Sequence, residues 1–194
     1  MFTGIIETTA ALRSITDNVF WFNVPFASEL KIGQSVACNG ACLTVVEIDE
    51  QGFRVDVLEE TMRLTNLGDL RLGDLLNVER AMKTDDRLDG HIVLGHVEGF
   101  GVIKKIDQES GSDLIIAICI PLDFMKYVIL KGIIILDGIA LTVIALDDEK
   151  AEIQVAIIPH TWQNTNLHAR SEGDKVNVET DLLAHYVERL KIWR

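Results

Sequence analysis

The side chains best suited to chemistry in this chain are a cysteine, a pair of histidines and a few carboxylates and hydroxyls set beside turns. Cys42 follows the turn Asn39-Gly40-Ala41 at the head of an apolar run. On its own it reads as a small buried apolar residue, since free cysteine is among the most buried types. In an open pocket the same thiol is a polarisable donor or a transient nucleophile. His91 and His96 stand in Gly90-His91-Ile92-Val93-Leu94-Gly95-His96. Five positions apart on an ideal strand, they point to opposite faces, which argues against a zinc pair, and no cysteine cluster lies nearby. His96 is the stronger general-base candidate, because an imidazole titrating near operating pH suits proton removal from an acidic carbon. His91 suits a structural hydrogen bond. Asp181 precedes an amphipathic run and reads as its N-cap. Ser35, in Gly33-Gln34-Ser35-Val36, reads equally as a locally bonded strand-start serine and as a pocket hydroxyl.

These residues sit inside a duplication. Asn39-Gly40-Ala41-Cys42-Leu43-Thr44-Val45 returns as Asp137-Gly138-Ile139-Ala140-Leu141-Thr142-Val143, at an offset of 98. Thr61 to Leu67 returns as Thr161 to Leu167, and Gly73-Asp74-Leu75-Leu76-Asn77-Val78-Glu79 as Gly173-Asp174-Lys175-Val176-Asn177-Val178-Glu179, both at 100. So long a period means a duplicated domain rather than a solenoid. Two copies of a domain give two copies of a pocket, which suits an enzyme that must hold two similar molecules face to face. Thr44, Thr61 and Thr65 recur as Thr142, Thr161 and Thr165. Alone these would be sheet and turn threonines.

The elements that must position them are short β-branched runs between turns. Strands are expected at Gly4–Ile6, Ala10–Ser14, Phe20–Val24, Ser35–Cys38, Cys42–Asp49, Gly52–Val57 and Leu75–Arg80. In the second half they are expected at His91–Gly95, Gly101–Ile106, Leu114–Ile120, Ile133–Leu136, Ala140–Leu146, Ala151–Ile157 and Lys175–Thr180. About six strands per half at this spacing read as an all-β barrel or sandwich, and closure removes exposed edges. Asn39-Gly40 and Asp137-Gly138 read as tight turns needing positive φ. Short helices are expected at Ser28–Lys31 and Leu122–Val128, and a longer one at Asp181–Arg194. Its stripe Leu183, Tyr186, Val187 and Leu190 has no place in a finished barrel and suits packing on the other barrel or on copies of itself. The domains are expected at 1–87 and 88–180, with the helix at 181–194. The second copy begins around His96-Val97-Glu98-Gly99, paralleling Met1-Phe2-Thr3-Gly4.

A net charge of −12 and the lack of a basic run argue against nucleic-acid binding. An odd number of cysteines (Cys38, Cys42, Cys119) suggests reduced thiols and a cytoplasmic setting. The N-terminal segment lacks signal-peptide features, and no apolar stretch is long enough for a membrane helix.

Many ordered blocks resemble riboflavin synthase of the alpha-chain type, a lumazine-binding barrel family. They are Met1-Phe2-Thr3-Gly4-Ile5, Asn39-Gly40-x-Cys42-Leu43-Thr44-Val45, Glu60-Thr61-x-Arg63-x-Thr65-Asn66-Leu67-Gly68, Gly90-His91-x-Val93-x-Gly95-His96-Val97-Glu98-Gly99, Lys131-Gly132, Asp137-Gly138-x-x-Leu141-Thr142-Val143, Ile158-Pro159-His160-Thr161 and Asp181-Leu182-Leu183-Ala184. The resemblance spans essentially the whole chain. It implies two tandem six-stranded antiparallel Greek-key barrels and a C-terminal helix holding a homotrimer. It also implies a transferase that dismutates two 6,7-dimethyl-8-ribityllumazine molecules without metal or organic cofactor. The two rings would lie between the N-terminal barrel of one subunit and the C-terminal barrel of the next. The resemblance leaves room for association with lumazine synthase.

For individual residues the resemblance reverses the bland reading of Cys42 and places it in the N-barrel pocket with His96, Ser35 and the acid Asp181. Ligand-contacting stretches map onto Gly4-Ile5-Ile6, Cys42-Leu43-Thr44, Asp56-Val57-Leu58-Glu59-Glu60-Thr61, Gly95-His96-Val97, Ala140-Leu141-Thr142 and Ile158-Pro159-His160-Thr161-Trp162-Gln163. Lys131 matches a lysine that reaches the neighbouring subunit's ligand. One departure stands out: Ala140 replaces a usual serine, removing a hydrogen bond worth about 0.5–1.5 kcal/mol from the C-barrel pocket. Two other readings compete. Lumazine proteins of luminous bacteria share the duplicated fold and only bind; retention of Cys42, His96 and Asp181 favours the enzyme. A flavin-binding barrel of an oxidoreductase would normally need a nicotinamide domain, and no Gly-rich strand-turn-helix motif is present. The N-terminal half, with its full set of strands and Cys42, is expected to bind lumazine or riboflavin without the rest of the chain.

Overall fold

The computed structural model describes residues 1–108 and 114–191. The first half supplies β1 (Thr8–Thr16), β2 (Val19–Asn23), β3 (Ser35–Cys38), β4 (Ala41–Ile48), β5 (Gly52–Asp56) and β6 (Leu75–Arg80), and the second β7 (Gly99–Gln108), β8 (Leu114–Cys119), β9 (Ile133–Leu136), β10 (Ile139–Asp147), β11 (Glu152–Ile157) and β12 (Lys175–Glu179). The first six close in the order β1-β2-β5-β4-β3-β6, and the last six repeat that Greek-key order as β7-β8-β11-β10-β9-β12. All pairs are antiparallel.

Closure follows from alternation. Ala41, Leu43 and Val45 of β4 turn into the first core, with Phe20, Phe22, Phe53 and Val55. Ile139, Leu141 and Val143 of β10 do the same in the second. Cys42 and Thr44, and their mates Ala140 and Thr142, therefore face outward. Register shifts at Val45/Glu47 and Val143/Ala145 fall at matching places; a bulge strengthens twist where a small sheet must curl shut.

The turns predicted at Asn39-Gly40 and Asp137-Gly138 have positive φ at both residues (45° and 79°, 46° and 82°). This is the two-residue hairpin that fits strand twist. The two turns also pack tip to tip: a Cβ on Gly40 would lie 2.8 Å from the Gly138 nitrogen, and the reverse holds. Around them a buried amide network joins the barrels. Asn66 N donates to Asn177 Oδ1 and Asn166 N to Asn77 Oδ1, both at 2.6 Å. Asn77 Nδ2 donates to Asp137 O and Asn177 Nδ2 to Asn39 O, at 2.9 and 2.8 Å. Symmetry breaks once: Asp137 stands where the first copy has Asn39, and Arg170, 2.9 Å from it, where the first copy has Leu70.

Some expected elements differ. Gly4–Ile6 and His91–Gly95 are not sheet strands but belong to two extended straps, joined by the bridge between Phe2 and Val93 and by His91 N donating to Thr3 O at 2.8 Å. Thr3 N and Gly4 N of the first strap and Leu94 N, Gly95 N and His96 N of the second bind carboxylates instead. The Ser28–Lys31 helix is a 3₁₀ turn at Ala27–Glu29, and Leu122–Val128 shortens to α2 (Leu122–Met125). Two helices were not foreseen, α1 (Glu59–Leu64) and α3 (Pro159–Asn164), since six residues are too few to show a helical period. The C-terminal helix is α4 (Leu182–Lys191), with the expected residues 192–194 lying outside the described residues. Asp181 caps it: its Oδ1 accepts from Leu183 N at 2.9 Å.

Candidate functional site

Cys42, Glu60, Thr61, Gly95, His96 and Val97 line one cavity of about 180 Å³, together with Ala41, Leu64 and Thr65. β4 supplies the floor, α1 one wall and the second strap the other. Cys42 N donates to Gly95 O at 2.8 Å, so the strap lies directly on the strand carrying the thiol. Gly95 has φ +79°, and a Cβ there would lie 2.7 Å from Cys42 Cβ, so only glycine fits.

The second barrel repeats this geometry with the first strap. Ala140 N donates to Gly4 O at 2.9 Å, and a Cβ on Gly4 (φ +75°) would meet Ala140 Cβ at 2.5 Å. The repeat therefore aligns Gly4 with Gly95 and Ile5 with His96, correcting the parallel drawn between Met1–Gly4 and His96–Gly99. Each strap crosses to the other copy's barrel. The first half, expected to bind lumazine or riboflavin without the rest of the chain, shares the Cys42 cavity with Gly95, His96 and Val97 of the second strap.

Both straps are held by a carboxylate that sequence reasoning missed. Glu79 is the last residue but one of β6 and Glu179 ends β12; each residue is 5% exposed. Glu79 accepts from Thr3 N, Thr3 Oγ1 and Gly4 N at 2.5, 2.7 and 3.0 Å. Glu179 accepts from Leu94 N, Gly95 N and His96 N at 2.7, 2.9 and 3.0 Å. Burial pushes both carboxyls above their usual range, and the backbone donors pull against it. A signal was present: Asn77-Val78-Glu79 and Asn177-Val178-Glu179 repeat a charge inside an apolar strand.

The remaining candidates are spread more widely. Ser35 faces Thr44 across the β3–β4 pair. Asp56, Leu58 and Glu59 are exposed on the approach to α1, whereas Val57, Leu43 and Leu141 point into the cores, leaving only their backbone to reach a ligand. Ile158 to Gln163 span the N-cap and body of α3, the second-half counterpart of α1, where Ile6 and Trp162 pack on the core. Lys131 is exposed, with φ +66° where the first copy has Gly33. Asp181 lies 3.4 Å from His91 Nε2, so the structural partner expected for His91 is the helix cap itself. Beside His96 a second, apolar cavity of about 280 Å³ opens toward α4, lined by Leu94, Leu182 and His185 among others. His185 stacks on Tyr127 at 3.9 Å and contacts Thr180 Oγ1 at 2.6 Å and Glu98 at 3.2 Å.

Two tandem Greek-key barrels that exchange straps over matching strands, with a cavity between Cys42, α1 and the second strap, define a duplicated small-molecule-binding barrel. The lumazine binding domain matches residues 3–81 and again 94–181, and the chain belongs to that family. It is 43% identical over 198 residues to riboflavin synthase of Mycobacterium tuberculosis, covering 98% of each chain. To the riboflavin synthase of Actinobacillus pleuropneumoniae it is 39% identical over 194 residues, covering 97% of this chain and 89% of that one. The crystal structure of LumP complexed with riboflavin shares the fold, with a TM-score of 0.86 at 24% identity over 93% of this chain and 100% of that chain.

Proposed function

We infer that this chain catalyses the dismutation of two 6,7-dimethyl-8-ribityllumazine molecules to riboflavin and 5-amino-6-(D-ribitylamino)uracil. The observation that carries this reading is the full-length likeness to riboflavin synthases joined to a pocket where Cys42 and His96 meet. The C7 methyl of a lumazine is acidic because its carbanion delocalises into the electron-poor ring. His96 is the base that takes that proton, and Cys42 is the thiol that can add at C7 of the other ring. One molecule gives up a four-carbon unit and the other gains it, so atoms balance without a co-reactant. Holding two rings in register replaces a bimolecular encounter, worth up to about 7–11 kcal/mol.

The site in this reading is completed by a second subunit. A cavity of about 180 Å³ falls short of the roughly 300 Å³ at which ligand pockets begin. On α4, Leu183, Tyr186, Val187 and Leu190 are each 55–65% exposed, a stripe free to hold a homotrimer. Lys131 on its left-handed turn is the residue to reach across. The protein works in the cytoplasm.

The test is conversion. Purified protein given 6,7-dimethyl-8-ribityllumazine forms riboflavin, with specific activity rising with protein concentration as subunits assemble. Tight lumazine binding without turnover establishes a binding protein instead. His96→Ala and Cys42→Ala should each slow product formation at least about tenfold; wild-type rates from both remove them from the chemistry.

A further inference from the structure

We propose that Glu179 is the positioning residue for His96, clamping the strap that carries the base onto the strand that carries Cys42; this rests on the reaction inferred above. The three consecutive N–H groups of Leu94, Gly95 and His96 converge on one carboxylate, within 2.7–3.0 Å. The left-handed φ of Gly95 turns those donors to one side, the backbone concavity that suits an anion. On its other side the strap accepts from Cys42 N at 2.8 Å. Glu179, the strap and Cys42 are therefore one hydrogen-bonded chain running from the second barrel to the first. The imidazole of His96 has no hydrogen-bond partner among the described residues, so hydrogen bonds place it only through the strap backbone. Glu179 itself is 5% exposed and accepts three backbone N–H groups, so its part is to hold the strap. Its mate Glu79 clamps Thr3 and Gly4 over Ala140, but that strap presents Ile5 where the other presents His96. The two clamps are alike in geometry and differ in what they position.

The difference is the test. Glu179→Gln keeps the size but turns an N–H₂ toward N–H donors, so the strap loses at least one bond. Expected is a fall in kcat of at least about tenfold, KM within about threefold and a moved pH profile of kcat, since the base is displaced rather than removed. Glu79→Gln should instead raise KM and lower kcat by less than about threefold, because its strap carries no acid or base. Hydrogen exchange at Leu94, Gly95 and His96 should quicken in Glu179→Gln alone. Should that variant not fold, Glu179→Asp, shorter by one methylene, is read by the same measurements. Wild-type kcat and pH profile in the folded variant overturn the proposal, as do unchanged exchange rates. Wild-type enzyme run alongside separates the two ideas. If it binds 6,7-dimethyl-8-ribityllumazine without turnover, the reaction is wrong, and amide exchange still decides the clamp.

Discussion

Replacing Asp137 by asparagine copies into the second barrel what the first already has, yet it should be among the more damaging substitutions here. Asp137 is fully buried and accepts from Asn66 Nδ2, Asn166 Nδ2 and Asn177 N at 2.8 Å and from Arg170 Nη2 at 2.9 Å. An amide in its place must aim an N–H₂ at two of those donors. It also strands Arg170, whose Nε is already buried without a hydrogen-bond partner among the described residues. Removing one member of a buried pair costs about 3–5 kcal/mol. The Arg170 side chain keeps 17% exposure, so the lower end, about 3 kcal/mol, applies. Arg170→Leu costs less, about 1.5–3 kcal/mol, because Asp137 keeps three neutral donors. The double variant recreates the Asn39–Leu70 pairing and should fall within about 1 kcal/mol of wild type, a coupling of several kcal/mol. Urea unfolding at one fixed protomer concentration measures all three, since assembly shifts apparent stability. Additive losses, or a double variant as unstable as Asp137→Asn, would refute the idea that the charge and its partner arose as one exchange.

Gly95→Ala forces a Cβ to 2.7 Å from Cys42 Cβ at a φ of +79°, so it should cost about 2–5 kcal/mol in melting experiments and shift the strap. Misplacement near 1 Å can cost about 10²-fold in rate, so wild-type kcat in this variant would detach His96 placement from activity. Lys131→Gly relieves a left-handed lysine (φ +66°) and should stabilise by about 1 kcal/mol while impairing turnover; unimpaired turnover would make Lys131 a turn residue only. Because burial raises the Glu79 and Glu179 carboxyls above the usual 4.5, their stabilisation is present below that pH and lost as pH rises through the raised value. Carboxyl titration by NMR checks this, and midpoints at or below 4.5 would show that the backbone donors win.

The barrels were legible because strand alternation and the turns Asn39-Gly40 and Asp137-Gly138 are local signals, each stated twice. The site was legible in its side chains and not in its assembly. Cys42 and His96 stand out by type, but their meeting depends on a strap leaving one barrel for the other, and no local pattern encodes that crossing. Gly4–Ile6 and His91–Gly95 carry strand-like residues, and the carboxylates of Glu79 and Glu179 take backbone donors that a sheet would use. Six-residue helices such as α1 leave too short a trace to be read, although α1 walls the pocket.

Strap exchange explains why this fold is useful as a fused pair rather than as two copies of one barrel. A symmetric dimer would carry identical pockets, yet the inferred reaction treats two identical molecules differently: one loses the four-carbon unit and the other gains it. Fusion lets the pockets diverge while the scaffold stays symmetric. Here the divergence is concentrated at the site: Cys42 against Ala140, His96 against Ile5, Gly33 against Lys131. The side chains proposed for acid–base and nucleophilic roles fall on the first pocket, and the lysine proposed to reach a neighbour falls on the second half. The scaffold has one matching asymmetry, Asp137 with Arg170 against Asn39 with Leu70.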